Sequence, residues 1–146
     1  MMTANPLKSR TATLNIFLVE DDDVDVLTVR RAFEKAHILN PLYVASNGIE
    51  ALEKLRSGEI PSERRLILLD LNMPRMNGLE FLRELRNDAN LCHTPVVVLT
   101  TSTMDRDKFE AYGMNIAGYL VKPVTFDRFC ELMVTLNKYW TLVELP

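Results

Sequence analysis

The sequence predicts an α/β fold built on a parallel sheet, and three observations predict it. Short apolar runs alternate with helically spaced apolar residues five times along the chain. The central runs, L-I-L-L and V-V-V-L, are continuous rather than alternating, as in strands covered on both faces. The runs stop at Glu20-Asp21, Asp70, Thr100 and Lys122. Open α/β sheets place their ligand chemistry just beyond such strand ends.

The elements follow in order. Asn15 to Val19 is the first strand, and it runs into four acids, Glu20 to Asp23. Val26, Val29, Phe33 and Ala36 then fall on one helical face, and Asp22 and Asp23 are natural N-cap residues for that helix. Pro41 to Ala45 is a second, shorter strand. Asn47-Gly48 turns into a helix around Ile49 to Leu55, which Gly58 and Pro61 stop. Leu66 to Leu69 is the third strand and ends at Asp70. The loop L-N-M-P-R-M-N-G follows, punctuated by Pro74 and Gly78, and Leu79, Leu82 and Leu85 give the next helix its inner face. Pro95 opens the fourth strand, which ends at Thr100. A polar, weaker helix passes through Phe109 and Tyr112 and is broken by Gly113 and Asn115. Tyr119 to Val121 is the fifth strand. Thr125 is the N-cap of a last helix from Phe126 to about Tyr139.

Composition excludes several classes. The 146 residues are 47% hydrophobic and 25% charged, enough for one domain with a core that needs no staples. A net charge of −3 gives no basic face for nucleic acid. No apolar run approaches a membrane span. Met1 to Thr13 lacks the apolar stretch of a signal peptide and reads as a flexible leader. Cys92 and Cys130 lie far apart without metal or redox spacing, the pattern of reduced cytoplasmic thiols, and His37 and His93 are likewise isolated.

Three carboxylates, a hydroxyl and an ammonium thus converge on one sheet edge. Clustered carboxylates raise one another's pKa unless a cation neutralises them. Such an oxygen cluster, with a backbone carbonyl and waters, suits Mg²⁺. A carboxylate is a competent nucleophile toward phosphorus, and a lysine offsets the charge of a transferring phosphoryl group. A haloacid dehalogenase-type hydrolase would need a second Asp where Asn72 stands, and Asn72 cannot transfer a proton. A flavodoxin-type FMN site would need a Ser/Thr/Gly-rich loop where Glu20 to Asp23 stand.

V-E-D-D, L-L-D-L-N-M-P-R-M-N-G, V-L-T-T-S and G-Y-L-V-K-P, in this order, resemble the CheY-like receiver domains of two-component response regulators. The resemblance runs from about Asn15 to Lys138. It implies a doubly wound, five-stranded parallel sheet of flavodoxin-like order 2-1-3-4-5 with five helices. It also implies a phosphoacceptor signalling protein rather than an enzyme. Asp70 would accept the phosphoryl group from a histidine kinase. Asp21 and Asp70 would hold Mg²⁺ with the Asn72 carbonyl, and Glu20 would act through water. Thr100 and Lys122 would contact the phosphoryl group, and Tyr119 would change rotamer as Thr100 moves. Glu20 stands where many members have Asp, and Ser102 occupies a position that influences phospho-aspartate hydrolysis.

A narrower resemblance, on V-E-D-D-D-V-D-V-L and K-Y-W-T-L-V-E-L-P, is to the small response regulators partnered with bacterial phytochromes, which lack an output domain and tend to be homodimers. The chain is expected to divide into a flexible leader at 1–13, a receiver domain at 14–140 and a C-terminal tail at 141–146 that would serve as a dimer arm. The output would pass to a downstream protein or a phosphotransfer protein. Phe129, Met133, Leu136 and Trp140 on the last helix, with Leu142 and Val143 beyond it, are the expected dimer surface.

Overall fold

The structure, a computed structural model, describes residues 13–145; the expected leader lies almost wholly outside them, as does Pro146. Five strands, β1 (Asn15–Val19), β2 (Leu42–Ala45), β3 (Arg65–Leu69), β4 (Val96–Thr100) and β5 (Gly118–Val121), form one parallel sheet in the order β2-β1-β3-β4-β5. Five helices alternate with them: α1 (Asp23–Lys35), α2 (Gly48–Arg56), α3 (Gly78–Asn87), α4 (Asp105–Gly113) and α5 (Phe126–Leu142). The expected fold class and strand order are the ones found.

The period-two geometry of a strand divides the apolar runs between two core layers. Phe17, Val19, Ile67, Leu69, Val96 and Val98 face α2, α3 and α4, where Leu52, Phe81 and Leu85 meet them. Ile16, Leu18, Leu66, Leu68, Val97 and Leu99 face α1 and α5, where Val29, Phe33, Phe129 and Met133 meet them. Every residue of β3 and β4 is buried, which accounts for the continuous apolar runs at 66–69 and 96–99; the two polar residues, Arg65 and Thr100, stand at strand ends.

The helix starts carry their own signals. Asp22 caps α1, accepting from the Val24 and Asp25 amides at 2.8 and 3.3 Å. Asn77 and Glu80 form a reciprocal capping box at the start of α3. Thr125 caps α5 by accepting from the Arg128 amide, as its position predicts.

Two expectations at the C-terminal end need correction. α5 runs to Leu142, past the expected end at Tyr139. The proposed dimer stripe is largely internal: Phe129, Met133 and Trp140 are buried, and Leu136 and Val143 pack against the same layer. A helix crossing the whole sheet needs all of that face to cover β1, β3 and β4. Of the six residues, Leu142 alone is exposed in the described protomer. Leu145 also packs, partly buried, against this layer, so Val143 and Leu145 lie on their own domain while Glu144 between them is exposed.

Cys92 and Cys130 are both unbridged. No described helix is long and apolar enough to cross a membrane.

Candidate phosphoacceptor site

Hydrogen bonds that extend the ladder one residue past the strands set the site's backbone. The Glu20 amide donates to the Ala45 carbonyl, the Asp70 amide to Val19, and the Lys122 amide to Thr100. Glu20, Asp70, Thr100 and Lys122 therefore stand side by side at the carboxyl edge of the sheet. Oxygen atoms of Glu20, Asp21 and Asp70 all lie within 4.8 Å of one another. The sequence reading named this set, and the fold brings it together.

Asp70 is almost fully buried. Its Oδ1 accepts from Thr100 Oγ1 at 2.8 Å and from the Asn72 amide at 3.4 Å. Its Oδ2 has Lys122 Nζ at 3.9 Å, beyond hydrogen-bond distance. One oxygen is held and the other is left open, a suitable arrangement for a nucleophile.

Close approach from α3 fixes the carboxylate's place. A Cβ on Gly78 would lie 2.4 Å from the Asp70 carbonyl oxygen and 2.7 Å from Leu71 Cα. Both are backbone atoms, so this is a position where glycine alone fits.

The electrostatics oppose leaving the acid cluster bare. Burial pushes the Glu20 carboxyl up to about 7; the hydrogen bond and charge of Lys122 pull it down, and Asp70 adds to the rise. Burial also works against the Lys122 charge, but hydrogen bonds to Asp25 and Glu20 outweigh it and hold the ammonium above its ordinary value. A hard divalent cation fits this donor set: it would relieve the crowding of Glu20, Asp21 and Asp70, and it takes oxygen ligands.

Lys122 is not directed at Asp70 alone. Its Nζ donates to Glu20 Oε1 and, at 2.8 Å, to Asp25 Oδ2. Asp25 is a site residue the sequence reading missed. It follows Asp21 by four residues, yet an acid in a helix's first turn is ordinarily read as a response to the helix dipole.

The other flank of Asp70 is polar. Thr100 Oγ1 also accepts from the Ser102 amide at 3.3 Å, and Ser102 Oγ donates to Asp107 on α4 at 2.6 Å. Tyr119 donates its hydroxyl to the Ser102 carbonyl at 2.9 Å. Burial holds the Tyr119 phenol above its ordinary value, which keeps it a donor. Thr100, Ser102 and Tyr119 are thus connected through one residue.

A family model, the response regulator receiver domain, matches residues 16–134. The probable methanogenesis regulatory protein FilR2 of Methanothrix harundinacea is 36% identical over 127 residues, covering 86% of this chain and 82% of FilR2. Response regulator Rcp1 of Synechocystis sp. is 33% identical over 135 residues, covering 90% and 92%. A crystal structure of the Mn²⁺-bound form of response regulator Rcp1 superimposes with a TM-score of 0.78, covering 91% of this chain and 99% of that one. The phosphorylated cyanobacterial phytochrome response regulator RcpA gives a TM-score of 0.82 at 33% identity, covering 92% and 99%. With its motifs at these strand ends and this sheet order, the chain belongs to the response regulator receiver domain family.

Proposed function

We propose that this receiver domain is switched by phosphorylation of Asp70. The observation that carries the reading is Asp70 itself: buried, held on one oxygen by Thr100 and open on the other, with Lys122 beside it. Receiver domains of two-component systems take their phosphoryl group from histidine kinases, and here the donor would be a phosphohistidine. A free Asp70 oxygen attacks phosphorus and forms an O–P bond as the N–P bond breaks. The electron pair leaves with the imidazole nitrogen. Lys122 offsets the charge of the phosphoryl oxygens, and Thr100 transfers its hydrogen bond from Asp70 to one of them.

Mg²⁺ is the cation proposed for Glu20, Asp21, Asp70 and the Asn72 carbonyl, with Glu20 acting through water. Bound there, it would neutralise the acids and the incoming phosphate. The Mn²⁺ held by Rcp1, similar along almost its whole length, supports a divalent cation. The domain signals rather than turning over substrate. Its likeness to RcpA, a phytochrome response regulator, favours a phytochrome kinase as donor; the unbridged Cys92 and Cys130 fit the cytoplasmic setting proposed for it.

Thr100 and Tyr119 are the proposed switch. When Thr100 moves toward the phosphoryl group, it draws the Ser102 amide with it. The Ser102 carbonyl, to which Tyr119 is tied, shifts too. The output is a docking event or onward transfer, and pairing with a second copy is part of the proposal. For that pairing the fold leaves Phe109, Tyr112, Val121, Phe126, Tyr139 and Leu142 exposed on α4, β5 and α5.

Intact mass measurement after incubation with acetyl phosphate tests the reading. One phosphoryl group is expected on the wild type with Mg²⁺, and none on Asp70→Asn or under EDTA. Equal uptake by Asp70→Asn would overturn it.

A further inference from the structure

An ammonium has three N–H donors. Lys122 spends one on Glu20 and one on Asp25 Oδ2, at 2.8 Å. Asp70 Oδ2, at 3.9 Å, is the next carboxylate oxygen. The two holders differ in kind. Glu20 belongs to the three carboxylates whose oxygens gather within 4.8 Å, so a cation there competes with Lys122 for it. Asp25 lies outside that group. Its amide is fixed by the N-cap carboxylate of Asp22, so the first turn of α1 sets its position.

We propose that Asp25 is a positioning residue: it anchors the Lys122 ammonium beside Asp70 and leaves one N–H free for an oxygen of a phosphoryl group carried there. This rests on Asp70 being the phosphoacceptor. The physical need is plain. A lysine stem has many rotamers, and a free ammonium prefers water to a half-buried cleft. Glu20 alone would lose its hold when a cation draws it away. Asp25 keeps Lys122 in place through that change, while its own carboxylate stays partly in solvent, with 38% of the side chain exposed against 11% for Lys122.

Two measurements test this on the full chain. The first follows the Lys122 ammonium by nitrogen-15 lysine NMR with saturating Mg²⁺, which draws Glu20 away, and without any phosphodonor. An ordered, exchange-protected ammonium is expected in the wild type, lost in Asp25→Asn and regained in Asp25→Glu. An unchanged signal in Asp25→Asn would overturn the proposal.

The second is a double-mutant cycle on the rate of phosphorylation by acetyl phosphate with Mg²⁺. Asp25→Asn is expected to slow it about tenfold, the order of one charge-assisted hydrogen bond. Lys122→Ala should slow it at least as much, and the double variant no more than Lys122→Ala alone. If the two factors multiply instead, Asp25 does not act through Lys122. If the NMR result holds but Asp70→Asn is phosphorylated as fast as wild type, the anchoring stands and the phosphoacceptor reading falls.

Discussion

Asp70 sits between two flanks that are held in different ways. On the β3–α3 side the loop is pinned by backbone. The Gly78 amide donates to the Leu71 carbonyl, α3 starts in a capping box, and Phe81, Leu82 and Leu85 are fully buried. At the far end of α3, Arg86 donates to the carbonyls of Cys92, Thr94, Met114 and Asn115. On the β4–α4 side α4 has no side-chain cap and one buried residue, Ala111. Its link to the site is a set of side-chain hydrogen bonds through Ser102. One flank is a frame, and the other has the lighter hold that the proposed switch would use. Segments with few buried apolar contacts open at low free-energy cost, and signalling movements draw on them.

Substitutions on the two flanks should therefore differ in size. Gly78→Ala forces a Cβ against backbone that cannot yield, and it should cost about 1–3 kcal/mol by urea unfolding. Thr100→Ala removes a buried hydroxyl that serves Asp70 and Ser102, and it should cost about 1 kcal/mol in the same measurement.

The acid cluster adds a pH term. In the cation-free protein Glu20 holds its proton more tightly folded than unfolded, so between its ordinary 4.5 and about 7 stability falls as pH rises. Glu50 and Asp88 are lowered by hydrogen bonds, so their stabilisation is lost only as pH falls below the ordinary carboxylate range. Urea unfolding across pH under EDTA should show the upper slope, and Glu20→Gln should flatten it. The smallest effect belongs to α4: Phe109 is 83% exposed, and Phe109→Ala should stay within about 0.5 kcal/mol.

The frame was the legible part. Periodicity and strand ends carried the sheet and Glu20, Asp21, Asp70, Thr100 and Lys122, because a parallel sheet leaves its chemistry nowhere else. Asp25 was not legible, since dipole compensation and ligation of Lys122 demand the same residue type at the same place. The α5 stripe misled for a similar reason. Phe129, Met133 and Trp140 have the spacing of either an interface or a core, and the sheet's need for cover decided between them. A truncation before Trp140 would therefore unfold part of the core, and Leu142→Glu is the cleaner probe of pairing by light scattering. The proposed pairing predicts a smaller assembly for that variant at equal concentration.

The contrast between the flanks is tested most directly by comparing backbone amide NMR shifts with and without a phosphoryl group on Asp70. The account predicts large changes from Thr100 to Asp107 and at Tyr119, with residues 78–87 of α3 almost unmoved. Equal changes along both flanks, or changes confined to α3, would contradict it.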